Sequence, residues 1–202
     1  MARPRSVSDE DILSAARHVF LEHGGSASTA VIAERIGVSQ AALFKRFGTK
    51  KDLMLAALAP PEVPSFVDRL ERGPETGRPV PEQLVEIAME VLAFLREEVP
   101  AMMVLSTCGL DPKALIDNYP VPPPLVAQRA MGSWMTRAID LGLIRNADTT
   151  PLSLTLLGSL HIRVFLSTLT RQPLTDEEAH GHAASVVDAL WRGLSPVASE
   201  AT

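Results

Sequence analysis

The sequence predicts an all-α protein. No stretch alternates apolar and polar residues as a half-buried strand does. Apolar side chains instead recur at three- and four-residue spacing along most of the chain, and prolines and glycines cut these runs into helix-sized pieces. The 202 residues are 46% hydrophobic and 21% charged, a globular balance that excludes wholesale disorder and is long enough to bury a core. A single cysteine, Cys108, excludes a disulfide framework and a cysteine-based zinc site. The opening Met-Ala-Arg-Pro-Arg lacks the apolar run of a secretory leader. The most apolar stretch, Leu152 to Leu169, carries His161 and Arg163, which argues against a membrane span. A cytoplasmic chain is expected.

Charge and proline divide the chain. Residues 1–58 carry a net +2, with Lys45, Arg46, Lys50 and Lys51 inside seven positions, whereas residues 59–202 carry −7. A cationic head on an acidic body is the balance expected when one end meets a polyanion, although two solvated helix ends would give the same count. Pro60, Pro61 and Pro64 close the head, Gly73 to Pro81 reads as a loop, and Pro120 with Pro122–Pro124 makes a further break. The expected domains are therefore 1–58 and 59–202.

Four short helices fit the head. Ser8 caps the first, with Asp9, Glu10 and Asp11 in its first turn and a stripe of Ile12, Ala16, Val19 and Phe20; Gly24-Gly25 ends it. Ser28 or Thr29 caps a second helix carrying Ile32, Ala33 and Ile36 and stopping at Gly37. Ser39 caps a third, Gln40 to Phe47, and Gly48-Thr49 turns into a fourth at Lys50. Two short helices joined through a glycine turn form a helix-turn-helix, whose second helix enters a DNA major groove. Val38 and Leu43 face the core in this arrangement, leaving Gln40, Ala41, Phe44 and Lys45 toward solvent. An ordinary helical hairpin with polar caps has the same spacing.

In the body, Leu84, Ile87, Ala88, Val91, Leu92 and Leu95 mark one buried helical face. Val126, Ala130, Trp134, Ala138 and Leu141 mark a second. Leu154, Leu157, Leu160, Val164 and Leu166 mark a third helix, apolar around more of its circumference, and Val186, Val187, Leu190 and Leu194 mark the last.

The run Ile12-Leu13-x-Ala15-Ala16-x-x-Val19-Phe20-x-x-x-Gly24, then Ile32-Ala33-x-x-Ile36-Gly37-Val38-Ser39, then Leu43-Phe44-x-x-Phe47-x-x-Lys50-x-x-Leu53 resembles the N-terminal domain of TetR-family transcriptional regulators. The resemblance covers residues 7–58, and Leu190-Trp191-Arg192-Gly193-Leu194 is similar to a common ending of the family's last helix. It implies a helix-turn-helix three-helix domain, a C-terminal helical bundle that forms a homodimer, and a small-molecule effector pocket in that bundle. It also implies that double-stranded operator DNA is met by Ser28, Thr29, Ser39, Gln40, Ala42, Phe44, Lys45, Arg46, Thr49 and Lys50. Of these, Gln40 and Lys45 would read base edges. Three features depart from the usual pattern: Phe44 stands where the family commonly has Tyr, Ala41-Ala42 where it has Gly-Thr, and the loop after Gly24 is one residue shorter than usual. Arg3 and Arg5 offer a basic arm for the minor groove.

The last two helices, about Pro151–Leu169 and Thr175–Leu194, are the expected dimer surface, the first being too apolar for a helix with a solvated side. Effector candidates are Met89, Phe94, Met102, Met103, Cys108, Trp134, His161 and Phe165. They are soft or aromatic side chains with few polar partners, which suits a hydrophobic effector. No catalytic or metal-ligand pattern is present: His180-Gly-His182 diverges on a helix, and no glycine-rich phosphate loop or nucleophile elbow is found. The expectation is a regulator rather than an enzyme, without cofactor. A helical adaptor that does not bind specific DNA is the alternative.

Overall fold

Capping chemistry sets where several helices begin. In the computed structural model, which describes residues 7–109 and 117–194, Ser8 opens α1 (Asp9–His23) with a capping box. The Asp11 N–H donates to the Ser8 hydroxyl at 3.0 Å, and the Ser8 N–H donates back to the Asp11 carboxylate at 3.1 Å. A 3-10 turn, Gly24–Ser26, follows. Ser28 rather than Thr29 caps α2 (Thr29–Ile36), Ser39 caps α3 (Gln40–Phe47), and Thr49 caps α4 (Lys50–Leu58). Arg3 and Arg5 lie outside the described residues.

The head is held by one apolar cluster. Ile12, Ala16, Val19 and Phe20 of α1 meet Ile32, Leu43, Leu53 and Leu58, all buried. Each fully buried side chain of this size contributes roughly 1.5–3 kcal/mol of transfer free energy. Ala101 and Leu105 complete the cluster, with Met102, Val104 and Cys108 packed against it. All but Cys108, which follows it, come from the end of α6 (Val80–Thr107), a helix that begins more than twenty residues after the head closes. By contacts, the described parts of Met1–Pro60 and Pro100–Pro120 form one unit, and those of Pro61–Val99 and Val121–Thr202 form another. By contacts the chain passes between the units three times, at 60/61, 99/100 and 120/121, where the sequence leads one to expect a single boundary after residue 58. Pro100, which has no N–H to continue the ladder, sits inside α6 where it passes from one unit to the other.

In the second unit, α5 (Val67–Arg72) fills the gap between Pro64 and Gly73 and is too short for periodicity to announce. Arg69 fastens it to α6 by pairing with Glu86 and with Glu90 at 2.8 Å. The Glu86 carboxyl, gripped by Arg78 and then by Arg69, is held below the usual carboxylate range. The buried Gln83 satisfies all its polar atoms on the preceding loop. Its amide donates to the carbonyls of Glu75 and Arg78, and its oxygen accepts from the Glu75 N–H. Three longer helices follow, α7 (Pro123–Asp140), α8 (Thr149–Thr170) and α9 (Asp176–Leu194). Thr175 and Glu178 form another capping box at the start of α9.

Two buried faces differ from expectation. On α7 the buried stripe is Ala127, Met131, Trp134, Met135 and Ala138; Val126 and Ala130 are only half-buried, and Leu141 lies past the helix end, exposed. On α8 the buried residues are Ser153, Leu156, Leu160, Val164 and Ser167, whereas Leu154 (54%), Ile162 (48%), Leu166 (46%) and Leu169 (57%) are exposed. A helix that is apolar all round carries no phase signal, and the small serines are the positions that admit neighbouring helices. On α9 the alanines Ala179 and Ala183 are buried beside Val187, while Val186 and Leu190 are half-buried. By length and composition α8 could cross a membrane, yet only 22% of its most apolar window is buried in the chain. Its outer stripe is therefore the largest uncovered apolar feature of α8.

Candidate nucleic-acid interface

The turn between α2 and α3 orients the site. Gly37 sits in the left-handed region at φ 72°, a conformation that costs a residue with a Cβ about 1–2 kcal/mol. Its N–H donates to the Glu34 carbonyl at 3.1 Å and the Val38 N–H to the Ala33 carbonyl at 3.0 Å, the paired bonds of a Schellman ending. Two residues later the Ser39 hydroxyl accepts from the Ala42 N–H at 3.1 Å, and α3 starts in a new direction. Only Leu43 of α3 is buried. Ser39, Gln40, Ala41, Ala42, Lys45 and Arg46 are exposed and Phe44 is half-buried, so the helix presents its N-terminal half outward.

Several expected contact residues are held by protein partners. Gln40 Nε2 donates to Thr29 Oγ1 at 2.6 Å, and Thr29 itself is buried as the first residue of α2. Thr29 thus positions Gln40, while the exposed Ser28 keeps the cap. Arg46 turns back toward α1, donating to the Val7 carbonyl at 2.8 Å and pairing with Asp9 at 3.3 Å. Lys50 Nζ donates to the Gly25 carbonyl at 2.7 Å, bracing the turn after α1. Lys45 and Lys51 have no hydrogen bond or ion pair among the described residues and are exposed. Local sequence showed which cations cluster; it did not show which of them the fold had already engaged.

Thr49 and Asp52 form the second closed box of the head. The Thr49 hydroxyl and N–H both donate to the Asp52 carboxylate, at 2.6 and 2.9 Å, and the Asp52 N–H donates to the hydroxyl at 3.2 Å. The Thr49 side-chain bond, then its backbone bond, hold the Asp52 carboxyl below its ordinary 3.8. Because folding lowers this value, the stability Asp52 contributes is complete above 3.8 and is lost as pH falls through the lowered value. Asp52→Asn is therefore expected to flatten the acid limb of the head's stability in urea titrations below about pH 4. An unchanged slope would mean that this carboxylate is not coupled to folding.

The effector candidates divide between the two units. Met102, Met103 and Cys108 fall in the head unit, where Met102 and Cys108 pack against its core. Met89, Phe94, Trp134, His161 and Phe165 fall in the other. There Trp134 is fully buried, Phe94 meets Phe66 edge to face at 5.5 Å, and the exposed His161 stacks with Phe165 at 6.4 Å. His182 donates from Nε2 to the Ser159 carbonyl at 3.1 Å, while His180 is exposed, so the two histidines do diverge. A groove of about 400 Å³ between α5 and α7 is lined by none of the eight candidates. Its signal in the sequence was Arg129, Ser133 and Arg137, four residues apart on a helix otherwise read for its apolar face.

Residues 12–57 match the N-terminal domain of bacterial regulatory proteins of the tetR family. No curated protein matches the chain significantly. Solved structures share the whole fold. A protein from Mesorhizobium loti MAFF303099 described as a TetR-family transcriptional regulator superposes with a TM-score of 0.74 at 19% identity, over 93% of this chain and 96% of that one. A TetR transcription regulator from Haloarcula marismortui ATCC 43049 gives 0.68 at 21% identity, over 89% and 96%. FadR from Bacillus subtilis, solved in complex with stearoyl-CoA, gives 0.64 at 17% identity, over 91% and 97%. At these identities the likeness is one of fold, and the family likeness comes from the head. With the turn at Gly37, the outward α3 and the matched segment in agreement, residues 12–57 are similar to the N-terminal domain of bacterial regulatory proteins of the tetR family.

Proposed function

We propose that the chain is a cytoplasmic repressor that binds a near-palindromic operator as a homodimer and leaves it when a small, hydrophobic effector binds the body. The observation that carries this reading is the outward face of α3, set by Gly37 and Ser39 and flanked by the exposed Lys45 and Lys51. Gln40 and Lys45 take the base edges. Ala42 and Phe44 offer apolar contact to thymine methyls, and Ser28, Ser39, Thr49 and Lys50 meet phosphates. To do so Lys50 must exchange its Gly25 partner, and Thr49 a bond to Asp52. Arg46 serves mainly to brace α1, and Thr29 to aim Gln40.

The outer stripe of α8 supports the dimer: Leu154, Ile162 and Leu169 recur on the side opposite Leu156, Leu160 and Val164, around His161 and Phe165. A second copy covering that stripe, with α9 beside it, sets two heads about 34 Å apart for successive major grooves. An effector that prefers the wrongly spaced dimer lowers operator affinity by its differential affinity for the two states. The stearoyl-CoA held by FadR of the same fold supports a ligand with an apolar part.

Retention on DNA flanking the gene, measured by fluorescence anisotropy against salt, tests the reading. Specific binding should weaken steeply with ionic strength. Lys50→Ala, present twice per dimer, should reduce the slope of log affinity against log salt by about 2. Gln40→Ala should chiefly erode discrimination between operator and scrambled DNA. Salt-insensitive retention, or none on flanking DNA, would overturn the proposal.

A further inference from the structure

The groove between α5 and α7 has a chemistry that the head and the dimer surface do not use. Its walls are apolar: Val67 from α5, Val121 before α7, and Val126 and Ala130 on α7. Arg129, Ser133 and Arg137 lie on the same side of α7, about one turn apart, and line it as well. Five lining positions of α7 therefore set two hydrocarbon side chains beside three hydrogen-bond donors along one strip.

Arg137 is fixed in place. Its Nη2 donates to the Leu70 carbonyl near the end of α5, and its Nε is buried without an acceptor among the described residues. A Cβ added at Gly73, which has φ 83°, would stand 3.0 Å from that Nε, so the glycine gives the guanidinium its room. Arg129 and Ser133 are exposed, and neither has a hydrogen bond or ion pair among the described residues. One carboxylate, Glu71, also lines the groove. Two permanent cations thus face one anion, leaving a single net positive charge in a body that is otherwise acidic.

We propose that this groove takes an amphipathic monocarboxylate, its hydrocarbon along the valines and its carboxylate on Arg129, Ser133 and the cationic field of Arg137. Guanidinium and hydroxyl donors suit a planar carboxylate, and a charge-assisted bond to arginine is among the stronger contacts available. The single net charge favours a monoanion, since a phosphate dianion would bring its second charge against Glu71. A volume of about 400 Å³ lies within the range of small-molecule sites. The inference rests on the effector reading above and gives that effector a charged end, which the wholly apolar candidates of the sequence do not.

Calorimetric titration of the full chain with octanoate, octan-1-ol and octylamine tests it. Octanoate should bind at least about tenfold more tightly than octan-1-ol, and octylamine more weakly than both. Arg129→Gln, at an exposed position, should reduce octanoate affinity about tenfold and leave octan-1-ol unchanged; Ser133→Ala should act in the same direction more weakly. Equal binding of acid and alcohol, no octanoate binding up to ~10 mM, or an Arg129→Gln chain that binds octanoate normally would overturn the site. Operator retention by the same preparations separates the two proposals. Retention without octanoate binding overturns the groove alone. Octanoate selectivity in a chain that retains no DNA supports the groove and overturns the repressor reading.

Discussion

Leu154→Glu combined with Ile162→Glu is expected to yield a folded monomer whose operator affinity has fallen by about two to four orders of magnitude. Both side chains stand on the outer stripe of α8, about half exposed, so their replacement removes little from the core of the protomer. In a dimer sealed by that stripe, each protomer would bring two carboxylates into an apolar seam, facing their twofold copies without cationic partners. Burying an unpaired charge is far more expensive than any one apolar contact is favourable, so the pair separates. Each head then binds alone and loses the effective concentration that a tethered second head supplies. Light scattering after gel filtration reads the mass, and anisotropy on operator DNA reads the affinity. Leu141→Glu, at an exposed leucine beyond the end of α7, is the control and should change neither. A double variant that remains dimeric would place the seam elsewhere, and a monomer with parental affinity would remove the need for two heads.

Phe20→Ala is expected to destabilise the head by about 3–5 kcal/mol, a large part of the roughly 5–15 kcal/mol that holds an ordinary domain together. Phe20 is fully buried in the cluster of Ile12, Ile32, Leu43 and Leu53, where α1 meets the helices that carry the DNA-facing residues. Truncation leaves a cavity bounded by three helices whose crossings are fixed by small residues such as Ala16 and Ala33, so collapse is limited. Both tryptophans, Trp134 and Trp191, belong to the other unit and report on it alone. Urea unfolding followed by far-ultraviolet circular dichroism should show an early loss of head helix, while tryptophan emission keeps its parental midpoint. Coincident shifts of both signals would show the two units to be one cooperative body.

The head was legible in the sequence because its signals are local. Ser8, Ser28, Ser39 and Thr49 announce four helix starts, Gly37 the turn, and Leu43 the inward side of α3, all within a few residues of the features they control. The side-chain ties were not legible, because Arg46 finds Val7 and Lys50 finds Gly25 across long stretches of chain. Nor was the phase of α8, whose leucines on both sides gave no contrast, or the face of α7, where the intended core stripe was turned by about one residue. Position 126 looks into a groove and position 127 into the core. Likewise, Met102 and Cys108 read as ligand-binding by residue type, but their surroundings are the apolar core of the head.

The two alanine- and leucine-sized plugs that α6 contributes, Ala101 and Leu105, set a rule for anyone exchanging parts among such proteins. A graft of residues 1–58 onto a foreign body would arrive with its hydrophobic floor missing, and any replacement would have to supply matching shapes from a different gene segment. The portable reader is therefore a discontinuous one, and inheritance at these positions should follow the head rather than the rest of the helix that bears them.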